Sequence, residues 1–172
     1  MLIVTSRRPC HRARILAREL ARVLPNAEYM PRGVKNVRKL YSLASSRGHK
    51  KIMIVDSVAG QPMVLRFLDV SEGWKWVNVQ IELSKVELQK DFGQKIRLLN
   101  AKIVAASPKA KELAGLLEKL WGVKAIKKAS GTGAFIIVDK DKIEFRGSLA
   151  AKIGPALYVS RVVGEHGESK KS

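Results

Sequence analysis

Residues 1–25, with the sequence MLIVTSRRPCHRARILARELARVLP, contain the two patterns that decide the fold. The apolar run LIVTS at residues 2–6 is typical of a short buried strand. The residues after it have a helical period, and one apolar stripe contains Ile15, Leu16, Leu20, Val23 and Leu24. Pro9 fits the first turn of this helix and Pro25 ends it, so the stretch predicts a strand followed by an amphipathic helix.

The rest of the first half continues the alternation of strands and helices. Residues 26–30 are extended, and residues 36–47 predict a second helix that Gly48 ends. Strand patterns follow at residues 51–57, 63–70 and 74–83.

The second half repeats this order. AKIVAAS at residues 101–107 corresponds to MLIVTS, a helix begins at Pro108 and ends at Gly122, and AFIIVD at residues 134–139 corresponds to KIMIVD. Strands are predicted at residues 141–147 and 156–163, and a loop at residues 130–133 replaces the second helix. We therefore predict an α/β fold built from a duplicated α/β unit, each half a small mixed sheet with helices.

One domain is predicted over residues 1–163, with an N-terminal half at about 1–83 and a C-terminal half at about 100–163. Residues 164–172 are predicted to be a disordered tail.

Composition limits the class of protein. The 172 residues are 46% hydrophobic, which is enough for a core and excludes disorder of most of the chain. No apolar run approaches the roughly 20 residues that a membrane span needs, and the start of the chain lacks signal-peptide features. The single cysteine, Cys10, excludes an internal disulfide. We expect a soluble, intracellular, globular protein.

Positive charge is concentrated at one end of this chain. There are 33 Lys and Arg residues against 15 Asp and Glu residues, a formal net charge of +18. Residues 1–51 contribute +11 of this and hold nine of the thirteen arginines, whereas residues 52–99 are balanced. Because guanidinium groups bind phosphates in a bidentate manner and stack on bases, this localised surface indicates a polyanion, most commonly nucleic acid.

The first predicted helix carries the strongest candidate site. Arg14, Arg18 and Arg22 recur at every fourth position and therefore share one face. Like charges at this spacing cost a helix about 0.2–0.5 kcal/mol per pair, which favours phosphate contact over a merely solvated basic face. Near the start of the helix, where its N–H groups favour anions, stand three more arginines, Arg7, Arg8 and Arg12.

A second basic cluster surrounds Gly33, which either makes a turn or lets the backbone approach a phosphate. No acidic residue lies between Glu28 and Asp56. The cations of this cluster are Arg32, Lys35, Arg38 and Lys39. The complete predicted RNA-binding set is Arg7, Arg8, Arg12, Arg14, Arg18, Arg22, Arg32, Gly33, Lys35, Arg38 and Lys39.

Trp74 and Trp76 share one face of a predicted strand with Asn78 and Gln80. Such rings either stack on unpaired bases or cover a neighbouring element of the protein. We expect the second use, since aromatic residues make up only 6% of the chain.

The sequence contains no catalytic or metal-binding constellation. Cys10 and His11 are neighbours in the chain, which does not predict the spatial pairing of a thiolate and an imidazole. The acidic residues of 139–144 lie among basic residues, where solvated ion pairs are the simpler interpretation. The sequence SGTG at residues 130–133 lacks the spacing of phosphate-binding loops. We predict no catalytic residue, no metal and no cofactor.

Residues 4–33, VTSRRPCHRARILARELARVLPNAEYMPRG, resemble the opening of the Brix-domain superfamily of ribosome-biogenesis proteins. The matching features are Thr5-Ser6-Arg7 at the strand end, Pro25-Asn26-Ala27 after the helix and Arg32-Gly33 before the next helix. Residues 139–147, DKDKIEFRG, resemble the family's closing element, Asp-x-Ile-x-Phe-Arg. One departure is EGW at residues 72–74, where the family has Gly-Pro-Thr.

The resemblance is nearest to the branch that processes small-subunit pre-rRNA. It implies halves similar to the anticodon-binding domain of class IIa aminoacyl-tRNA synthetases, and rRNA binding without catalysis. The Arg32-Gly33 region is similar to a stretch likened in that family to a sigma-factor nucleic-acid-binding motif. The chain looks like the compact archaeal form, which implies a cytoplasmic monomer whose partners are rRNA or pre-rRNA and other ribosome-assembly proteins, with no membrane.

The main hypothesis is a non-catalytic rRNA-binding factor in ribosome biogenesis, acting in pre-rRNA processing or small-subunit assembly through its arginine-rich face. Two alternatives stay open from the residues. The same charges suit a chromatin-type protein that binds DNA without sequence preference. An RNA-processing enzyme is the third hypothesis, although no motif supports it.

Overall fold

The computed structural model of the protein describes residues 1–57, 63–89, 101–129, 133–147 and 151–164. Its first half contains β1 (Leu2–Thr5), α1 (His11–Val23), β2 (Glu28–Tyr29), α2 (Val37–Ser46), β3 (Lys51–Ser57), β4 (Met63–Asp69) and β5 (Lys75–Glu87). The second half contains β6 (Lys102–Ala105), a 3₁₀ helix (Pro108–Ala110), α3 (Lys111–Trp121), β7 (Ala125–Ile126), β8 (Phe135–Asp139), β9 (Lys142–Arg146) and β10 (Lys152–Gly164).

All ten of these strands belong to one sheet in the order β2-β1-β3-β4-β5-β10-β9-β8-β6-β7. β1 is parallel to β2 and β3, and β6 is likewise parallel to β7 and β8. The remaining pairs are antiparallel, including the pair of β5 and β10 at the centre, where Leu83 faces Val159. The centre of the sheet is therefore the seam between the two halves of the chain.

The helices cover the sheet unequally. α1 and α3 pack on one face, where their leucines join Ile3, Met53, Phe67 and Phe145 in a single core. α2 packs on the other face, where Leu40 lies in a smaller core with residues of β1, β3 and β4. Successive residues of a strand point to opposite faces, which is why β1 and β3 supply apolar side chains to both cores. Among the described residues of the second half, no helix corresponds to α2.

The predicted mixed α/β fold is confirmed, with differences at element ends. α1 begins after Cys10, whose Sγ accepts a hydrogen bond from Ala13 N (3.4 Å) and caps the helix. β5 continues to Glu87, beyond the predicted end at residue 83. β7 was not predicted, because two residues are too few to show an alternating pattern. The predicted loop at 130–133 and the tail at 164–172 lie outside the described residues, apart from Gly133 and Gly164.

Candidate nucleic-acid interface

The three arginines predicted to share a face of α1 are all exposed. Arg14, Arg18 and Arg22 lie on the side of α1 that faces away from the core, which takes Leu16 and Leu20 from the other side. Within the described ranges, none of the three forms an ion pair with a carboxylate. The Arg18 guanidinium lies over the Tyr29 ring of β2, 5.5 Å from its centroid, which orients it along the edge of the sheet.

The one acidic residue of α1 does not offset this charge. Glu19 is only 5% exposed, and its Oε2 accepts a hydrogen bond from Gln89 N at 2.7 Å. Its carboxylate is thus turned into the protein, away from the arginines. We name the exposed set Arg14, Arg18 and Arg22 the α1 arginine row.

A second group of cations lies where parallel strands end. The connection after β1 leads to α1 on one face of the sheet, and the connection after β2 leads to α2 on the other face. In open α/β sheets such a divergence leaves a crevice at the carboxyl ends of the strands, where ligands commonly bind. Arg7 and Arg8 follow β1 and are exposed, and Arg32 follows β2. We name this position at the carboxyl ends of β1 and β2 the crevice, and guanidinium groups follow both of its strands.

Two charged residues near the crevice act on the pKa of Arg32, in addition to its burial. Burial lowers the pKa of Arg32, the positive charge of Arg7 lowers it further, and the carboxylate of Asp56 on β3 raises it. An anion in the crevice would relieve the repulsion between Arg7 and Arg32.

The turn around Gly33 is held by the two cations beside it. Gly33 has a positive φ of 55°, which favours glycine. Lys35 Nζ donates to the carbonyl oxygens of Pro31 (3.2 Å) and Arg32 (3.3 Å), and Arg32 Nε donates to Lys35 O (3.2 Å). Lys35 thus serves the turn.

Arg12 also has a partner inside the protein. It is half-buried, and its Nη2 donates to Val86 O of β5 at 2.9 Å. Arg38 and Lys39, in contrast, are exposed on the first turn of α2, where Asn36 accepts a hydrogen bond from Lys39 N and caps the helix. We therefore leave Arg12 and Lys35 out of the candidate interface and keep the other cations of the predicted set.

At the opposite end of the same strands lies a groove of about 1220 Å³. Its lining includes Arg18 and Arg22 at one side and the C-terminal end of α3 at Trp121. We name it the basic groove, and its further ionisable lining side chains are Glu28, Arg47, His49, Lys50 and Lys51.

Sequence reasoning missed the basic residues that follow α2 in this groove. Arg47 Nη1 pairs with Glu28, and His49 Nε2 lies 3.1 Å from the other oxygen of the same carboxylate. Lys51 donates to Lys119 O of α3 and so links the two halves. The sequence contained a signal for this position, because residues 47–50 directly precede the predicted strand β3. If β3 pairs in parallel with β1, these residues lie near the C-terminal end of α1.

In the second half of the chain, three cations form ion pairs with one buried carboxylate. Glu144 on β9 is 7% exposed and forms ion pairs with Lys142 (2.6 Å), Arg146 (2.7 Å) and Lys152 (3.3 Å). The three cations around Glu144 thus share one carboxylate of the protein itself. The exposed arginines without such a partner among the described residues lie in the first half, apart from Arg161.

Trp74 and Trp76 do not lie in the core. They are 46% and 48% exposed, which contradicts the expectation that each ring is covered by a neighbouring element. The third tryptophan, Trp121, is 4% exposed and stacks on Phe145 with ring centroids 6.1 Å apart.

Two further findings concern the described residues. They contain no group of three or more His, Cys, Asp or Glu side chains placed to hold a metal ion. None of their helices has the length and apolar character that crossing a bilayer requires.

Comparison with curated proteins identifies archaeal relatives. The chain is 36% identical over 96 residues to the probable Brix domain-containing ribosomal biogenesis protein of Pyrococcus horikoshii, over 55% of this chain and 42% of that protein. The chain thus spans less than half of that relative's length. The protein of the same name from Methanopyrus kandleri is 30% identical over 132 residues, which are 74% of this chain and 69% of that protein. No family model matches the chain.

Solved structures support the same fold. The crystal structure of a probable ribosomal biogenesis protein from Aeropyrum pernix matches with a TM-score of 0.80 at 22% identity, over 94% of this chain and 97% of that one. An archaeal Imp4-like protein matches with a TM-score of 0.68 at 23% identity, over 95% of this chain and 100% of that one. At such identities the likeness shows the fold alone.

Proposed function

Because the chain belongs to the Brix domain-containing ribosomal biogenesis proteins, we propose that it is a non-catalytic factor that binds ribosomal RNA during ribosome assembly. The reported relatives carry names of ribosome biogenesis proteins and not of enzymes. The proposed contact surface is the α1 arginine row, extended at one end by the crevice and at the other by the basic groove.

One observation carries this proposal. The arginines of the α1 row are exposed at helical spacing, and the only carboxylate of that helix is buried. Repulsion among the guanidinium groups of an unbalanced row destabilises the isolated helix. Phosphates that bind along the row remove this repulsion. Since helix α1 runs antiparallel to β1, the row connects the crevice at one end of the strands to the basic groove at the other. The three regions thus offer a continuous positive track for a phosphate backbone.

Recognition on this track depends on RNA shape. Guanidinium and ammonium groups contact phosphates, which fix the position of the RNA without reading its bases. The major groove of an RNA duplex is too narrow for side chains, so a protein of this kind contacts the backbone and unpaired segments. The resemblance of residues 4–33 to the small-subunit branch supports pre-rRNA of the small subunit as the target.

The test is charge reversal with a matched control. The variant Arg14→Glu, Arg18→Glu, Arg22→Glu should lower the affinity for a small-subunit rRNA fragment at least a hundredfold at fixed salt. This is the scale expected when three phosphate contacts become repulsive. The control reverses three exposed lysines of the second half, Lys109, Lys111 and Lys140. It has the same net charge and should bind nearly as well as the wild type.

Two outcomes contradict the proposal. Equal loss of affinity in both variants would mean that total charge matters and the α1 row does not. Equal affinity of the wild-type protein for the rRNA fragment and for duplex DNA would favour a DNA-binding protein instead. Circular dichroism of both variants checks that the helices are intact.

We also infer that the chain arose from a duplicated α/β unit, similar to the anticodon-binding domain of class IIa aminoacyl-tRNA synthetases. The strand order supports this inference, because β2-β1-β3-β4-β5 and β7-β6-β8-β9-β10 place their strands in the same order along the chain and have the same parallel and antiparallel pairs. In that unit the strand–helix–strand start is common to both halves, and only the first half keeps a second helix among the described residues.

A further inference from the structure

Two half-exposed tryptophans mark a surface that the α1 row does not include. Trp76 lies near the start of β5, and Trp74 precedes it by two residues. Large apolar side chains with comparable exposure are few in the described part of the chain, namely Val34 and Val162 besides these two. A Trp side chain that is 48% exposed lacks part of the stabilisation of complete burial, so the ring can gain stabilisation by contact with a partner.

Several side chains beside Trp76 are polar. By strand alternation Trp76, Asn78 and Gln80 share a face of β5, and Gln80 is paired with Arg66 of the adjacent strand β4. These four side chains line one concavity of about 320 Å³ together with Val77, Val79 and Val163. An aromatic face, two amides and a guanidinium are thus gathered on one part of the sheet.

The amide of Gln80 is held in place by the protein. Its Nε2 lies 3.3 Å from Glu82 Oε1 on the same strand, an interaction that orients the side chain. Asn78 is exposed. Amide groups both donate and accept hydrogen bonds, which is the chemistry that reads the edges of unpaired bases.

Charge connects this concavity with the crevice. Arg66 Nη1 lies 3.7 Å from Asp56 Oδ2, and the same carboxylate raises the pKa of Arg32 at the crevice. The surface around Trp76 therefore adjoins the proposed RNA track through Asp56. A single strand that leaves the crevice would meet Arg66 first and Trp76 next.

We propose that Trp76 and Trp74 form a stacking platform for unpaired RNA bases, with Arg66 binding a backbone phosphate and Asn78 contacting a base edge. This inference rests on the proposed function as an RNA-binding protein. A nucleobase fits these observations better than a protein partner does, because the Trp76 ring shares its concavity with two amides and a guanidinium beside three valines, and the surface adjoins a cationic one. Aromatic stacking is moreover tolerant of base identity, as a shape-reading protein requires.

The test compares three RNA probes of about 12 nucleotides, within the range that such surfaces cover. The first is a single strand, the second is the same strand with several bases removed but all phosphates kept, and the third is a duplex. The protein variant is Trp74→Ala, Trp76→Ala, and the matched control is Trp74→Phe, Trp76→Phe, which keeps aromatic rings. Trp121 is buried and remains in both variants, so its fluorescence reports an intact fold.

The alanine variant should bind the single strand at least tenfold more weakly than the wild type, as expected for one lost stack. Its affinity for the duplex and for the strand without bases should be unchanged, because the phosphate contacts remain. The phenylalanine variant should keep most of the affinity. In the wild type, the single strand should quench tryptophan fluorescence more than the strand without bases does.

Unchanged affinity of the alanine variant for the single strand would overturn the platform and leave the rings to a protein partner. If the α1-row variant loses RNA binding in the same assay, the proposed function still stands. If the wild-type protein binds none of the three probes, the platform and the proposed function both fail.

Discussion

At the scale of single residues, Glu144 shows how a buried carboxylate is kept charged. Burial raises its pKa, but hydrogen bonds from Lys142, Arg146 and Lys152 outweigh burial and lower the pKa from 4.5 to about 2. Because the folded-state pKa lies below the unfolded one, this group stabilises the fold fully above about pH 4.5. The stabilisation is lost as the pH falls from about 4.5 to about 2.

We predict that Glu144→Gln lowers the free energy of unfolding by about 2 kcal/mol at pH 7, because charged hydrogen bonds are replaced and three cations lose their ion pair with this carboxylate. The variant should also lose much of the fall in stability between pH 4.5 and 2 that the wild type shows. Urea unfolding followed by circular dichroism at several pH values measures both effects.

The control for Glu144 is Glu87→Gln, which breaks the more exposed pair of Glu87 with Lys85 (2.7 Å). Exposed ion pairs contribute little, so this variant should unfold almost as the wild type does. A Glu144→Gln variant with the wild-type pH dependence would show that the three cations do not hold the carboxylate.

The exposure of the α1 row could be predicted from the sequence, but the contacts of single residues could not. The burial of Glu19 follows from its position between Leu16 and Val23 on the buried stripe of α1, a signal present in the spacing. The contacts of Arg12 with Val86 and of Lys35 with Pro31 could not be predicted, because they depend on how a strand or a turn is placed in space.

At the scale of elements, α1 of the first half packs closely against the second half at Gly154. A Cβ atom on Gly154 of β10 would lie 2.8 Å from Val23 Cγ1 of α1 and 2.8 Å from Phe145 Cβ of β9. We predict that Gly154→Ala destabilises the protein by about 1–3 kcal/mol, as overpacked cores generally do. Adding Val23→Ala should recover part of the loss, since it removes one of the two clashes.

The matched control is Gly115→Ala in α3, where an added Cβ meets nothing within 4 Å. Alanine is the better helix former, so this variant should gain about 0.5–1 kcal/mol. Thermal unfolding of the three variants tests the packing of α1 against the second half. Equal stability of Gly154→Ala and the wild type would contradict it.

Elements with a clear hydrophobic period could be predicted, and short ones could not. β3 at Lys51–Ser57 has the predicted bounds, and α2 differs from the predicted helix by one residue at each end. The basic groove, in contrast, was not predicted, since it forms from the ends of α1, α2 and α3, which are distant in sequence.

At the scale of the whole molecule, the two halves differ both in their amount of positive charge and in the contacts that their cations make. The first half holds exposed arginines without carboxylate partners in the described ranges, while the second half neutralises a buried carboxylate with its own cations. The charge asymmetry was visible in the sequence. The proposed track along the crevice, the α1 row and the basic groove could not be predicted without the sheet order, which places β1 between β2 and β3.

The central claim is that the guanidinium groups of the α1 row replace counterions on an RNA backbone. Its most direct test is the slope of the logarithm of affinity against the logarithm of salt concentration, for the wild type and for Arg14→Gln, Arg18→Gln, Arg22→Gln. Each phosphate contact contributes about 0.7–0.9 to this slope, so the variant should lose about 2. A slope equal to that of the wild type would contradict the claim.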